Sequence, residues 1–182
     1  MQVSLALEDE QTPSCLRYIE DRRYEFCPAR RQLYAAYMEG WALYCESLGE
    51  EMEGLYASPF DLFGRLSMEM MRAVRLVVDS GIHAKGWSLE DSISYMVSKT
   101  GMFRKEVEAE VYRYEAWPGQ ACAYKVGEVA IRRARANAEA KIGAERFDLK
   151  DFHEAVLKTG PVPLRVLEAA IDEWASRVAS TA

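Results

Sequence analysis

Histidine is nearly missing from this chain, and its scarcity bounds the available chemistry. Only His83 and His153 occur in 182 residues, and neither has the i, i+4 partner of a His-Glu-x-x-His zinc helix. The segment His153-Glu154-Ala155-Val156-Leu157 has leucine where a second zinc histidine would stand, so it reads as structural. Cysteine is sparse as well. Cys15, Cys27, Cys45 and Cys122 lie far apart, with no C-x-x-C spacing, and are expected as free thiols packed like small apolar side chains. A disulfide framework is not expected of so long and cysteine-poor a chain.

Positive charge is also in short supply. Lys and Arg total 23 against 29 Asp and Glu, a net charge of −6. The one basic cluster that escapes nearby acids, Arg132-Arg133-Ala134-Arg135, falls on a helical pattern and reads as a solvated face, so nucleic acid is not an expected partner. No stretch reaches the roughly 18 apolar residues of a membrane span. The first ten residues lack a basic n-region, and acids break their short apolar stretch, unlike a signal peptide. The polypeptide therefore reads as soluble, although a truncated chain would have lost any signal it once carried. Its compartment stays open.

What the chain does have is helical periodicity. Tyr34, Met38, Trp41, Ala42, Cys45 and Leu48 recur at three- and four-residue steps, which predicts a helix from about Arg31 to Leu48, with Gly49 as its stop. Ser58-Pro59 opens a second helix. Its stripe of Phe60, Phe63, Leu66, Met70, Ala73, Val74 and Val77 is expected to end before Gly81. Ser88 with Asp91 resembles a capping box before Ile93, Met96 and Val97, and Thr100-Gly101 breaks that helix. Glu106 to Tyr114 is a further helical run, and Pro118-Gly119 separates it from a long helix between Ala121 and about Ile142. Asp148 with Asp151 looks like another cap, leading into Phe152, Val156 and Leu157. After the rigid Gly160-Pro161-Val162-Pro163 break, a last helix carries Leu167, Ile171 and Trp174. No useful alternating pattern predicts a strand. The expectation is one all-α domain over residues 1–182, built of about seven helices.

Several side chains could carry chemistry. Glu39, in Met38-Glu39-Gly40-Trp41-Ala42-Leu43-Tyr44, is a carboxylate set on a rigid helix, as a metal ligand would be. The plainer reading is an ordinary helical glutamate, exposed or paired with Arg17, Arg22, Arg23 or Arg30. His83, at the end of an apolar helix, is either a dipole cap or an electrophilic histidine at a cleft mouth. On the same helix as Glu69, Arg72 and Arg75, Asp79 stands four residues from Arg75, so an ion pair is the default expectation there. Tyr112, Tyr114 and Tyr124 bracket the Trp-Pro-Gly-Gln break. A phenol there could donate to a developing oxyanion or simply pack with its hydroxyl hydrogen-bonded, and Gln120 and Lys125 could face the same cleft.

Three segments together carry a family likeness. They are Tyr37 to Gly49; Gly64-Arg65-Leu66-Ser67-Met68-Glu69-Met70 with Arg72, Arg75, Asp79-Ser80-Gly81-Ile82-His83 and Gly86-Trp87-Ser88; and Glu108-Ala109-Glu110-Val111, Arg113-Tyr114, Trp117 to Ala121 and Ala123 to Glu128. Over nearly its whole length the chain resembles the C-terminal part of the DUF885 family, large helical proteins similar to zinc metallopeptidases of the gluzincin type. The resemblance implies a peptide substrate and a zinc cofactor in complete relatives. There a His-Glu … Pro-Gly-His-His segment supplies the zinc histidines and the general-base glutamate, and a Leu-Gln or Met-Gln pair follows it. This chain opens Met1-Gln2-Val3-Ser4-Leu5, and so resembles a sequence that starts just beyond those histidines.

By the same resemblance, Glu39 corresponds to the third metal ligand, and His83, Tyr114 and Tyr124 to residues of the catalytic cleft. The implied mechanism is metal-assisted hydrolysis, with water activated by zinc, a base glutamate, and His or Tyr donors steadying the oxyanion. One carboxylate cannot hold a zinc that needs about three protein ligands. The expectation is thus a C-terminal portion of a metallopeptidase-like protein, inactive and without tight zinc binding by itself, its standing as an enzyme left open. The competing expectation is a non-catalytic helical module that binds a protein or peptide, self-associates, or docks onto a separate N-terminal half through apolar surface that half would otherwise cover.

Overall fold

The computed structural model describes residues 34–181. Among them are seven helices and no strand: α1 (Ala35–Leu48), α2 (Pro59–Lys85), α3 (Leu89–Lys99), α4 (Arg104–Ala116), α5 (Ala123–Ile142), α6 (Leu149–Thr159) and α7 (Leu164–Ser180). The all-α expectation holds. Arg31, the expected start of the first helix, lies outside the described residues, as do Cys15, Cys27 and the arginines offered as partners for Glu39.

Local chemistry accounts for most helix ends. Ser58 caps α2 reciprocally: its hydroxyl accepts from the Asp61 N–H at 3.2 Å, and the Asp61 carboxylate accepts from the Ser58 N–H at 3.0 Å. Pro59 sits in the first turn, where its missing N–H leaves no bond unmade. Ser88 and Asp91 build the same box before α3. Asp148 caps α6 alone, accepting from the N–H groups of Lys150 and Asp151.

α2 runs past the end of its apolar stripe to Lys85, with His83 in its last turn as expected, and Gly86 ends it at φ +69° while the Trp87 N–H returns to the Gly81 carbonyl at 3.0 Å. Gly81 is glycine for a different reason. A Cβ there would stand 2.6 Å from the Trp87 indole, so its role is close packing inside a helix.

The described chain falls into two compact units, residues 39–128 and residues 34–38 with 129–181. The first is built on α2, α3 and α4, whose Met71, Val74, Val78, Ile93, Met96, Val107, Val111 and Tyr114 form a shared core. In the second, α6 packs on α7. Phe152, Val156, Leu167, Ile171 and Ala175 are buried there, and the Phe152 ring lies 6.3 Å from Trp174 and 6.0 Å from Phe147. The Tyr37 hydroxyl donates to the Val156 carbonyl at 2.8 Å, tying the start of α1 to α6.

Candidate functional site

Glu39 stands on a stretch of α1 whose seating is dictated by glycine. A Cβ on Gly40 would lie 2.4 Å from the Gly127 Cα, so the backbones of α1 and α5 meet where neither residue carries a side chain. Trp41 is buried beside Tyr44, with ring centroids 5.6 Å apart. The Glu39 side chain is half-buried, and its carboxylate has no hydrogen-bond or ion-pair partner among the described residues.

Other carboxylates of this unit contrast with it. Glu46 pairs with Arg72 at 2.9 Å. Glu69 accepts from Lys125 at 2.5 Å and pairs with Arg65, and Lys125 also reaches the buried Glu128. The hydrogen bond from Lys125, with the charges of Lys125 and Arg65, outweighs partial burial and holds the Glu69 carboxyl below its usual range.

The most elaborate arrangement surrounds Arg75, a buried cation on the core side of α2. Its Nε donates to the Tyr114 hydroxyl at 2.9 Å and its Nη2 to Glu110 Oε2 at 2.8 Å. The guanidinium lies over two phenol rings, 4.8 Å from the centroid of Tyr124 and 5.7 Å from that of Tyr114. Glu110 Oε2 also accepts from the Tyr114 hydroxyl at 2.7 Å and from Arg113 at 2.9 Å. Burial disfavours the charged carboxylate, but hydrogen bonds from Arg113 and Tyr114 and the charges of Arg75 and Arg113 outweigh it, pulling the Glu110 carboxyl down to about 2. Burial, with Glu110 nearby, pushes the Tyr114 phenol well above its ordinary value, so the hydroxyl keeps its proton.

These contacts revise the pairing expected within α2. Arg75 bonds to Glu110 and Tyr114 rather than to Asp79, whose two carboxylate oxygens accept from the Gly119 N–H at 3.1 and 3.0 Å. An i, i+4 pair on a solvated face is worth little. A buried guanidinium gains more from a fixed acceptor on a facing helix, and Asp79 instead anchors the turn after α4.

The structure brings three of the sequence-predicted site residues into one neighbourhood. His83, exposed in the last turn of α2, has Nε2 3.0 Å from the Tyr114 carbonyl oxygen, and Arg75 joins Tyr114 to Tyr124. Glu39 makes no hydrogen bond, ion pair or ring contact with any of the three. Tyr112 is exposed, Gln120 accepts from Arg113 at 2.7 Å, and the His153 ring lies tilted 5.7 Å from that of Phe152. Cys45 and Cys122 are half-buried thiols outside any disulfide among the described residues, and burial pushes both up to about 11.

Two participants were read without their true partners. Arg75 was matched to Asp79, although it shares the helix face of Met71 and Val78, and a charge in an apolar register is a signal of burial. Gly127 lies in a segment that carries the family likeness, but nothing in the sequence paired it with Gly40. As to metal, no group of three His, Cys, Asp or Glu able to hold an ion occurs among the described residues. A catalytic zinc needs about three protein ligands, so these residues do not by themselves fit that cofactor.

Fold and site together define a helical protein with a partnerless carboxylate at Glu39 and, separately, a buried cation bonded to a carboxylate and a phenol. Residues 1–171 match the family described as "Bacterial protein of unknown function (DUF885)", and the chain belongs to that family. A crystal structure of a Colwellia psychrerythraea protein designated a lipoprotein is 47% identical to it, with a TM-score of 0.76. The match covers 79% of this chain and 24% of that one, so the chain spans about a quarter of the length of the solved relative. No protein of curated function matches it. No helix among the described residues is long and apolar enough to cross a membrane.

Proposed function

We propose that this chain is the C-terminal part of a zinc metallopeptidase-like architecture and that Glu39 is its contribution to the metal site. The observation that carries this reading is the half-buried, partnerless Glu39 carboxylate on a helix turn seated by the Gly40–Gly127 contact. An acceptor-only group held at a fixed position is what a metal ligand requires. The histidine ligands and the base lie elsewhere in a complete relative, with peptide-bond hydrolysis as the reaction. On this reading His83 and Tyr124 would line the substrate cleft. Tyr114 acts there through its position, since its own proton is committed to Glu110.

The chain alone then lacks peptidase activity and binds zinc weakly. Calorimetric titration of zinc into the purified chain tests this directly. Tight stoichiometric binding that disappears in Glu39→Ala would show that the ligands are present here after all. In a full-length relative, alanine at the position aligned with Glu39 is expected to strip the metal, and unchanged metal content there would remove Glu39 from the site.

A second reading, a non-catalytic helical module that docks onto a protein partner, draws on the exposed apolar side chains of α2. A strictly monomeric chain that binds no hydrophobic dye would count against it.

A further inference from the structure

The periodic stripe of α2 is not the core face. Of its members only Val74 is buried; Phe60 is 86% and Phe63 70% exposed, and Leu66, Met70 and Val77 are exposed as well. The face that α2 buries carries Met71, Val74, Arg75 and Val78 instead. A helix apolar on two faces is made to be covered on both. Phe60, Phe63, Leu66 and Met70 follow one another at steps of three or four residues, the spacing of a seam against another helix. Phe60 also walls an open cleft of about 520 Å³ whose apolar side chains, Leu55, Tyr56 and Met68, are interleaved with the charged Glu46, Asp61, Arg65 and Arg72. Patches of this kind on soluble proteins mark contact surfaces.

We infer that this second face of α2 is the seat of the remainder of a DUF885 chain, the part with no counterpart in the present sequence. Two facts select that occupant. A relative 47% identical, with a TM-score of 0.76, carries the matching region as only 24% of its own length, so a large body of further chain accompanies this fold there. The uncovered side chains are also large and apolar in helical register, as an internal helix contact requires rather than a transient polar one. The inference rests on family membership and not on the zinc ligand, so a failure of Glu39 as a ligand leaves it standing.

The solved relative supplies the first test. The side chains aligned with Phe60, Phe63, Leu66 and Met70 are expected to be buried there by residues outside the matched quarter, and exposure of those positions overturns the inference. The second test is a contrast in thermal unfolding. Phe63→Ser should shift the Tm of the present chain by no more than about 1 °C, whereas serine at the aligned position of the full-length relative should lower its Tm by about 3 °C or more. Equal shifts in the two proteins overturn the inference. So does a concentration-dependent Tm of the present chain that Phe63→Ser abolishes, because the occupant would then be a second copy.

Discussion

Around Phe152 the chain buries rings, whereas around Arg75 it buries charge. In the unit of residues 34–38 and 129–181, Phe147, Phe152 and Trp174 pack edge and face with Val156, Leu167 and Ile171, and the ion pairs lie at the surface, as between Arg177 and Glu173. In the unit of residues 39–128, the apolar core of α2, α3 and α4 is joined by a guanidinium, a carboxylate and a phenol bonded to one another. Apolar burial is non-directional and indifferent to pH. A buried ionic cluster contributes only while every partner is present in the right protonation state. The first unit should therefore tolerate acid and be weakened by loss of buried volume, whereas the second should also weaken as acid discharges its buried carboxylate.

Four changes test that contrast. Phe152→Ala should cost the most, about 4 kcal/mol, by the same amount at pH 7 and pH 3.5 when followed by thermal circular dichroism; a strongly pH-dependent cost would dissolve the distinction. Glu110→Gln should cost about 3 kcal/mol at pH 7, because Arg75 is left buried without its counter-charge. Its pH dependence has a definite sign. The folded carboxyl is pulled down to about 2 from an ordinary value near 4.5, so its stabilisation is complete above the unfolded value and drains away as the pH falls toward 2. The gap between wild type and Glu110→Gln should narrow on acidification, and a constant gap from pH 7 to pH 2.5 would remove the carboxylate from the account.

Gly40→Ala sharpens the comparison from the backbone side. Alanine is ordinarily the better helix former by about 1 kcal/mol, but here its Cβ meets the Gly127 backbone. A net loss of about 2 kcal/mol is expected, read as a lowered midpoint in urea, and a gain in stability would show that the helices can part without penalty. Arg177→Ala should matter least, below about 0.5 kcal/mol, because its pair with Glu173 is exposed. A larger loss would mean that surface pairs, too, hold the ring-packed unit together.

The fold was largely legible in advance, for reasons that stay close along the chain. Ser58 with Asp61, Ser88 with Asp91, and Asp148 each satisfy backbone donors within three residues, so they mark helix starts wherever the helices later pack. The role of Gly81 was not legible, because glycine has two uses, ending a helix and admitting a neighbour, and only the Trp87 indole shows that it serves the second. The site was less legible. His83, Tyr114 and Tyr124 were singled out and do share a neighbourhood, but the residue that joins the tyrosines, Arg75, was assigned to Asp79 by proximity in sequence.

By itself the sequence determined the all-helical class, the positions of the helix ends and the lack of any histidine pair for a zinc helix. These follow from capping, periodicity and composition, which act over one or two turns or require no geometry at all. Only the tertiary structure decided that Arg75 would take Glu110, 35 positions away, and that the apolar stripe of α2 would remain outside while its neighbouring face went in. Both depend on which side of one helix meets another. A helix with two apolar faces leaves that choice open until its neighbours are in place.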